Sequence, residues 1–299
     1  MHKPPYFCGM AQIKQFLLNA SLKVFGLLPF RLLYMLSDML AFILYFLVGY
    51  RSKVVSENLR RAFPEKTDAD IKVITRRFYH HLTDILLESL LVPSLSKEEA
   101  IRRCKPVNPE VVNQYLDQKR PVILAGSQLG NWEWGGQSMP PFFHGATITA
   151  FKPLTDKTME VYLNKIRSQT GMELVSMEEF FRVMRKRSEE AAVYILLSDQ
   201  SPSSRKSAHW VQFFGQPTAT LPGLDVLARK FNWPVVYYRT VRLRRGYYEI
   251  VFEDLCAEPI GMPDQAITQV YTDMLERDIR QQPESWLWSH KRWKMKWEE

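Results

Sequence analysis

Short apolar segments alternate with amphipathic segments through the second half of the chain, and this pattern limits the fold more than any other feature. Segments with the length and composition of buried strands lie at 122–125, 147–151, 191–197 and 235–241. Helical spacing of apolar residues is found from about Lys157, around 224–231 and over 267–279. The alternation predicts an α/β fold. A further apolar run at 247–252 follows an Arg-Arg-Gly turn and predicts a β-hairpin, so we expect a mixed sheet flanked by helices.

The N-terminal part differs, because it contains one long apolar run from Leu27 to Val48. As a helix, residues 32–48 are long enough to cross most of the roughly 30 Å hydrocarbon layer of a bilayer. Asp38 lies in the middle of the run, and a carboxylate at the bilayer centre is costly unless it is paired or faces protein. The run is therefore borderline between a weak membrane span and a helix that lies in the interface. It lacks the small-residue cleavage pattern of a secretory signal.

Two more helices are predicted after this run. One covers 54–63 and ends at Pro64, and the other covers 68–91 and is closed by Pro93. We expect residues 1–50 to form a membrane-associated helical anchor and residues 51–299 to form the α/β domain. Basic residues are denser after the apolar run than before it, which predicts that the α/β domain lies on the cytoplasmic side.

Charge and cysteine content narrow the functional classes. Lys and Arg number 40 against 32 Asp and Glu, and the resulting net charge of +8 favours acidic partners such as phosphate groups, anionic lipid or an acidic carrier protein. None of the 3 cysteines lies in a Cys-x-x-Cys or Cys/His cluster, so neither a disulfide framework nor a metal site is expected. The chain has no sequence motif of a nucleic-acid-binding fold, and we expect no nucleic-acid partner.

The strongest chemical signal is the segment 126–133, Gly-Ser-Gln-Leu-Gly-Asn-Trp-Glu. It follows the first predicted strand of the α/β repeat, and ligands of open α/β sheets bind at the carboxyl ends of strands. Its backbone N–H groups, near Gly130 and Asn131, are candidates to hold a negatively charged oxygen. Glu133 is expected in the first turn of the next helix, where a carboxylate also has a purely structural role beside the helix dipole.

This segment resembles the Gly-His-x-Gly-Asn-Trp-Glu motif of the lipid A biosynthesis acyltransferases, the lauroyl/myristoyl transferase family of Gram-negative bacteria. Further motifs of that family occur in the family's order along nearly the whole chain: 58–59 with 62–65, 151–153 with Arg167 and Gly171, 199–200, 213–218 and 283–294. The resemblance implies a glycerolphosphate-acyltransferase-like α/β fold. It also implies transfer of a fatty acyl group from a thioester to a hydroxyl.

One position departs from the family pattern. Gln128 stands where the family places its catalytic histidine, whose imidazole removes a proton from the acceptor hydroxyl while the carboxylate at the position of Glu133 orients it. A glutamine amide has no proton-accepting site near neutral pH. Three explanations stay open: an engineered inactive variant, a natural member whose activity is lost or altered, or a base supplied by another residue. His144, His209 and Glu133 itself are the candidates for such a base.

The resemblance also suggests substrate-binding residues. Lys152, at a position where the family usually has arginine, and Arg167 are expected to position a phosphorylated acceptor. Asp199 and Gln200 follow a strand and are expected beside the site, although capping of the next loop explains Asp199 equally well. Segment 214–218 predicts a turn before a helix that starts near Pro222. The tail 286–297 combines four tryptophans with basic residues, which is typical of the lipid headgroup level.

The sequence therefore predicts a membrane-anchored O-acyltransferase of the cell inner membrane. The expected donor is a thioester of acyl carrier protein or coenzyme A, and the expected acceptor is a hydroxyl of a lipid A precursor. One alternative is an acyltransferase for another membrane lipid, such as an aminolipid or a lysophospholipid. Another is a non-catalytic lipid-binding relative. No metal or tightly bound cofactor is expected.

Overall fold

The computed structural model of the chain describes residues 24–153, 155–156, 160–161, 164 and 166–297. The strands are β1 (Cys104–Pro106), β2 (Val122–Gly126), β3 (Ala146–Phe151), β4 (Met172–Ser176), β5 (Ala192–Leu197), β6 (His209–Phe213), β7 (Gln216–Thr220), β8 (Val235–Arg244) and β9 (Tyr247–Cys256). The α-helices are α1 (Phe30–Phe42), α2 (Ser52–Ala62), α3 (Asp68–Leu91), α4 (Lys97–Arg103), α5 (Glu110–Leu116), α6 (Trp132–Ser138), α7 (Met177–Lys186), α8 (Gly223–Phe231) and α9 (Ala266–Gln281). A π-helical turn, Ile43–Leu47, continues α1. The helix expected from about Lys157 lies largely outside the described residues.

The main sheet has seven strands in the order β1-β9-β8-β2-β5-β3-β4. Strands β8, β2, β5, β3 and β4 run parallel to one another, while β9 is antiparallel to β8 and β1 is parallel to β9. The mixed α/β fold is therefore confirmed, as is the hairpin of β8 and β9. Because the parallel strands end at one edge, the loops after β2, β3 and β5 meet there.

Both faces of the sheet are covered by helices, which explains why the central strands are apolar without alternation. On β2, Ile123 and Ala125 belong to the core on one face, while Val122 and Leu124 belong to the core on the other. Helices α3, α8 and α9 cover the first face, and α5 and α6 contribute to the second. The fold thus buries every side chain of β2 and fixes the direction in which the strand delivers its loop.

Helix α3 has the bounds that its sequence predicts, and a capping box starts it. Thr67 accepts the N–H of Asp70, and the Asp70 side chain accepts the N–H of Thr67. Helix α1 packs along α3 and buries Leu33, Ser37 and Ala41. The stretch Phe30–Leu47 is, within the described part of the chain, the one helix long and apolar enough to cross a membrane.

Two sequence interpretations were wrong. Residues 214–218 do not form a simple turn before a helix, because Phe214 and Gly215, both at positive φ, join β6 and β7 in an antiparallel hairpin. Three tryptophans of the tail do not lie at a lipid surface. Trp286, Trp288 and Trp293 are buried. The rings of Trp286 and Trp288 pack against each other, and all three pack against the aromatic side chains at 213–214.

Candidate functional site

The turn after β2 lies at the carboxyl edge of the sheet, next to β5 and β8. Gly130 in this turn has a φ of +64°, and a Cβ there would lie 2.2 Å from the carbonyl oxygen of Thr240 on β8. Glycine is the residue that fits this left-handed position against a neighbouring backbone. The N–H of Gly130 donates to the carbonyl of Ser285 at 2.9 Å, and Leu129 forms a β-bridge with Trp286. The C-terminal segment therefore holds the turn in place.

A buried carboxylate also fixes the turn. Asp199 follows β5 and is 2% exposed, and its Oδ2 accepts the backbone N–H of Gln128 at 2.8 Å and the indole N–H of Trp286 at 2.9 Å. Burial raises the pKa of Asp199, while these two hydrogen bonds and the charge of Arg292 oppose the rise. Through these hydrogen bonds, Asp199 connects the turn to β5 and to the C-terminal segment.

The side chain of Gln128 lines an open groove that Trp132 also lines. Gln200 Nε2 donates to Gln128 Oε1 at 3.2 Å, so the two adjacent strand ends are also joined through their side chains. The groove holds about 910 Å³ of empty space, part of it open to solvent. Its walls combine apolar side chains of α3 and of the turn after α1 with polar groups of the C-terminal segment. A lipid with a polar headgroup matches this mixed lining.

His290 also lines this groove, and sequence analysis did not single it out. Its Nε2 accepts the backbone N–H of Ser201 at 3.1 Å. Burial, together with the charges of Arg292, Lys294 and Arg51, lowers the pKa of His290 to about 4. The imidazole is therefore neutral at pH 7, but its accepting nitrogen is already occupied.

Glu133 lines a second cleft, and Trp132 lines both this cleft and the groove. Arg167 binds its carboxylate through two guanidinium nitrogens, with contacts of 2.9, 3.2 and 3.3 Å. The cleft holds about 610 Å³ of empty space, part of it open to solvent, and most of its lining is apolar: Phe151, Met172, Leu174, Ile195 and Leu197 are among its walls. An alkyl chain fits such a lining, with its polar end beside the Glu133–Arg167 pair.

Asn131 points away from both openings and into the protein. Its Oδ1 accepts the N–H of Trp134, which caps α6, and its Nδ2 donates to Glu88 Oε2 at 2.7 Å. Glu88 is completely buried and also accepts hydrogen bonds from Tyr34 and Tyr248. Burial raises the pKa of Glu88 to about 7, although these hydrogen bonds oppose the rise. Asn131 is thus a structural cap on a buried polar network, and its expected part in an oxyanion site stays a prediction.

Of the expected site residues, the structure brings Gln128, Glu133, Arg167 and Gln200 to the two openings beside Trp132. Gly130 and Asp199 fix the backbone of the turn that carries Gln128. Lys152 is exposed just after β3, and it is not among the described residues that line either opening.

The two histidines proposed as substitute bases lie elsewhere. His144 precedes β3 at the amino edge of the parallel strands and contacts Asp117 at 2.8 Å. His209 begins β6 and contacts Thr268 on α9 at 3.2 Å. Neither is among the described residues that line the groove or the cleft.

Glu88 was missed, although the sequence carries a signal for it. On α3 it lies four residues after Asp84, and both carboxylates fall on the face that carries Ile74, Phe78 and Ile85. Two acidic residues on the buried face of a helix indicate a buried polar network.

A family model for bacterial lipid A biosynthesis acyltransferases matches residues 5–295. The chain belongs to this family. It is also similar to the lipid A biosynthesis lauroyltransferase of Escherichia coli (strain K12), with 22% identity over 270 residues that cover 89% of this chain and 87% of that protein. Membership in this acyltransferase family supports transfer of an acyl group onto a lipid A-like acceptor.

Proposed function

We propose that the protein transfers a fatty acyl group from an acyl thioester to a hydroxyl of a lipid A precursor at the inner membrane, with its α/β domain on the cytoplasmic side. The observation that carries this proposal is the meeting of two openings at Trp132. The apolar cleft of Glu133 suits an alkyl chain, and the mixed groove of Gln128 suits a lipid headgroup. A thioester carbonyl at the head of the cleft then lies close to a hydroxyl in the groove.

The charges around the groove support an anionic acceptor. Next to the groove, α2 and the C-terminal segment form a basic recess with about 870 Å³ of empty space, part of it open to solvent. Its lining includes Lys53, Arg61, Lys291 and Lys294. Glu57 is the one carboxylate in its described lining, so the recess keeps an excess of positive charge. The ammonium group of lysine and the guanidinium group of arginine both bind phosphate. The phosphates of a lipid A precursor therefore fit this position.

The transfer itself forms a carbon–oxygen bond and breaks the carbon–sulfur bond, while the hydroxyl proton leaves and the thiol departs protonated. Among the described residues that line the groove, Gln128 has no proton-accepting site near neutral pH, and Nε2 of His290 already accepts the N–H of Ser201. We infer that Gln128 positions the acceptor by hydrogen bonding and that chemistry is slow. Arg167 holds Glu133, and this pair positions the reacting groups rather than supplying a strong base.

Product analysis tests the proposal. The purified protein is incubated in micelles with a lauroyl thioester of acyl carrier protein or of coenzyme A, because the similar E. coli protein is a lauroyltransferase. A lipid A precursor and a lysophospholipid are offered as competing acceptors, and the products are separated by mass spectrometry. We expect a slow gain of one acyl ester on the lipid A precursor. Acylation of the lysophospholipid alone would assign the protein to another membrane lipid.

Gln128 itself favours a second candidate, a lipid-binding relative without catalysis. Such a protein binds the lipid A precursor and the acyl donor with the affinity of an enzyme but forms no ester. Binding measured by equilibrium dialysis, combined with product analysis over long incubation, separates the two candidates.

A further inference from the structure

Helix α1 and its π-helical turn carry a row of exposed apolar side chains on one face. Leu32, Met35, Met39, Phe42 and Phe46 follow one another at intervals of three and four residues, which places them in one stripe along the helix. Their exposure ranges from 41% for Leu32 to 68% for Met35. A continuous exposed apolar stripe of this length is rare on the surface of a soluble protein. It indicates contact with another apolar phase.

The opposite face of the same helix is attached to the α/β domain. Near its start, the guanidinium of Arg103 lies 3.4 Å above the ring of Phe30, and Tyr34 donates to Glu88 at 2.9 Å. In the middle, Ser37 donates to Asp84 at 2.6 Å. Near its end, the rings of Tyr45 and Tyr79 lie 5.1 Å apart. These contacts extend from the first turn to the last, so the helix is held along its whole length.

Asp38 also takes part in this attachment. Its contacts show how the carboxylate in the middle of the apolar run is paired. Its carboxylate accepts hydrogen bonds from Arg245 at 2.7 and 3.0 Å, and His80 Nδ1 lies 2.9 Å from it. Arg245 binds Asp84 as well. The charge at the centre of the apolar run is thus paired with the β8–β9 turn and with α3, beside the stripe and not within it.

A membrane-spanning orientation conflicts with these contacts. A spanning helix is surrounded by hydrocarbon, and this one would carry Arg245, Asp84 and the exposed Arg76 of α3 with it into the bilayer. An orientation in the membrane plane avoids this conflict, because only the apolar stripe enters the acyl region while the attached face stays with the protein.

We propose that α1 lies in the plane of one leaflet as a docked interfacial helix and does not cross the membrane. Its stripe contacts acyl chains, and Arg31 and Asp38, seven residues apart on its flank, lie at the level of the headgroups. Exposed basic residues close by, Arg51, Lys53 and Arg76, favour an anionic lipid surface. The groove of Gln128 is rimmed by Leu44 and Leu86 from this same side, so an acceptor enters it while its tails remain in the leaflet.

Spin-label depth measurements test the orientation with the full-length protein in vesicles of phosphatidylethanolamine and phosphatidylglycerol. Single cysteines replace Leu32, Met39 and Phe46 in a chain whose three native cysteines are serines, with Gln118→Cys as an aqueous reference on an exposed loop. Seven residues of helix span about 10 Å. We expect all three labels at the same shallow depth, within a few ångströms of one another. A label at Met39 that lies about 10 Å deeper than the other two would overturn the proposal.

Accessibility supplies a second readout. A single cysteine replaces Val24, which is exposed just before α1, and Gln118→Cys reports the α/β domain. With a membrane-impermeant maleimide, we expect both cysteines to react from the same side of sealed inside-out vesicles and neither to react in intact spheroplasts. Reaction from opposite sides, together with a deep Met39 label, would establish a span. Equal water exposure of the stripe with and without vesicles would assign it to a protein contact and likewise contradict the proposal.

Discussion

The backbone N–H of Gln128 donates a 2.8 Å hydrogen bond to the buried carboxylate of Asp199. The same oxygen accepts the indole N–H of Trp286 at 2.9 Å. One atom therefore joins the turn after β2, the end of β5 and the C-terminal segment. Asp199 therefore fixes the direction in which the Gln128 side chain enters the groove, although Asp199 is not among the described residues that line it.

Removal of that carboxylate is expected to destabilise the fold. Asp199→Ala leaves two N–H donors unsatisfied, one buried and one partly buried, each at a cost of about 1–3 kcal/mol, so the free energy of unfolding falls by about 2–6 kcal/mol. Asp199→Asn keeps an accepting oxygen and is expected to lose less than half as much. Urea unfolding in micelles measures both. Equal losses in the two variants would show that the shared oxygen is not what stabilises the turn.

The Glu133–Arg167 pair is expected to control the reaction rate. In the Gln128→His background, Glu133→Gln removes the carboxylate charge that Arg167 binds beside the cleft, and kcat/KM is expected to fall by about 10²-fold or more. Arg167→Lys keeps a positive charge but loses the planar two-nitrogen contact, and a smaller loss of about tenfold is expected. Glu178→Gln, in the exposed first turn of α7, is the matched control. A Glu133→Gln enzyme as fast as this control would exclude a part for the pair in catalysis.

The apolar cleft is expected to set the length of the acyl chain. A Cβ added at Gly136 would lie 3.9 Å from Met172 Cε, so a larger side chain fits there without disturbing the backbone and fills the cleft. Each methylene excluded from an apolar site costs about 0.8 kcal/mol, or about fourfold in affinity. Gly136→Leu should therefore lose activity with long acyl thioesters and keep it with shorter ones.

Competition between donors of different chain length measures this preference. Gly223→Leu, at a position where a Cβ meets open space, is the control for a glycine replaced in a helix. An unchanged preference in Gly136→Leu would place the acyl chain outside the cleft.

Glu88 is expected to make stability depend on pH. Its pKa is raised from 4.5 to about 7 in the fold, so between these values the folded protein keeps a proton that the unfolded chain has released. The free energy of unfolding therefore decreases as pH rises from about 4.5 to 7, by up to about 3 kcal/mol, and is constant with respect to this group above that range.

Glu88→Gln keeps the hydrogen-bonding shape without the titration. Compared with the wild type, it should lose less stability between pH 5 and pH 8, whereas Glu189→Gln on the exposed surface should behave like the wild type. The same pH dependence in all three proteins would mean that Glu88 stays ionised or stays protonated over the whole range.

The central strands and α3 were predictable because their signals are local. Strand β2 is continuously apolar, since both of its faces are buried, and α3 combines a capping box with apolar spacing that ends before Pro93. Strand β4, Met-Glu-Leu-Val-Ser, was missed because five residues with one charge give little contrast. The β6–β7 hairpin was missed because Gly215 and Pro217 indicate a turn, and pairing of the flanking residues depends on partners distant in the sequence.

The position of the candidate site was predictable, but its supports were not. A strand, a glycine turn and a helix start place Gln128 and Glu133 at the sheet edge. The contacts of Asp199 with Gln128 and Trp286 join residues 71 and 87 positions apart. Composition also could not separate a lipid-facing tryptophan from a core tryptophan. The indole N–H groups of Trp286 and Trp293 donate to the buried residues Asp199 and Thr218. These hydrogen bonds identify both as core tryptophans.

Restoring an imidazole at position 128 tests the central claim most directly. Gln128→His and the matched surface variant Gln118→His are assayed for transfer of a lauroyl group to a lipid A precursor under identical conditions. General base catalysis is worth about 10²–10⁴-fold, so we expect a rise of that size in Gln128→His and none in Gln118→His. A Gln128→His protein that binds both substrates and transfers no faster than the wild type would contradict the assignment of this turn as an acyl-transfer site without its base.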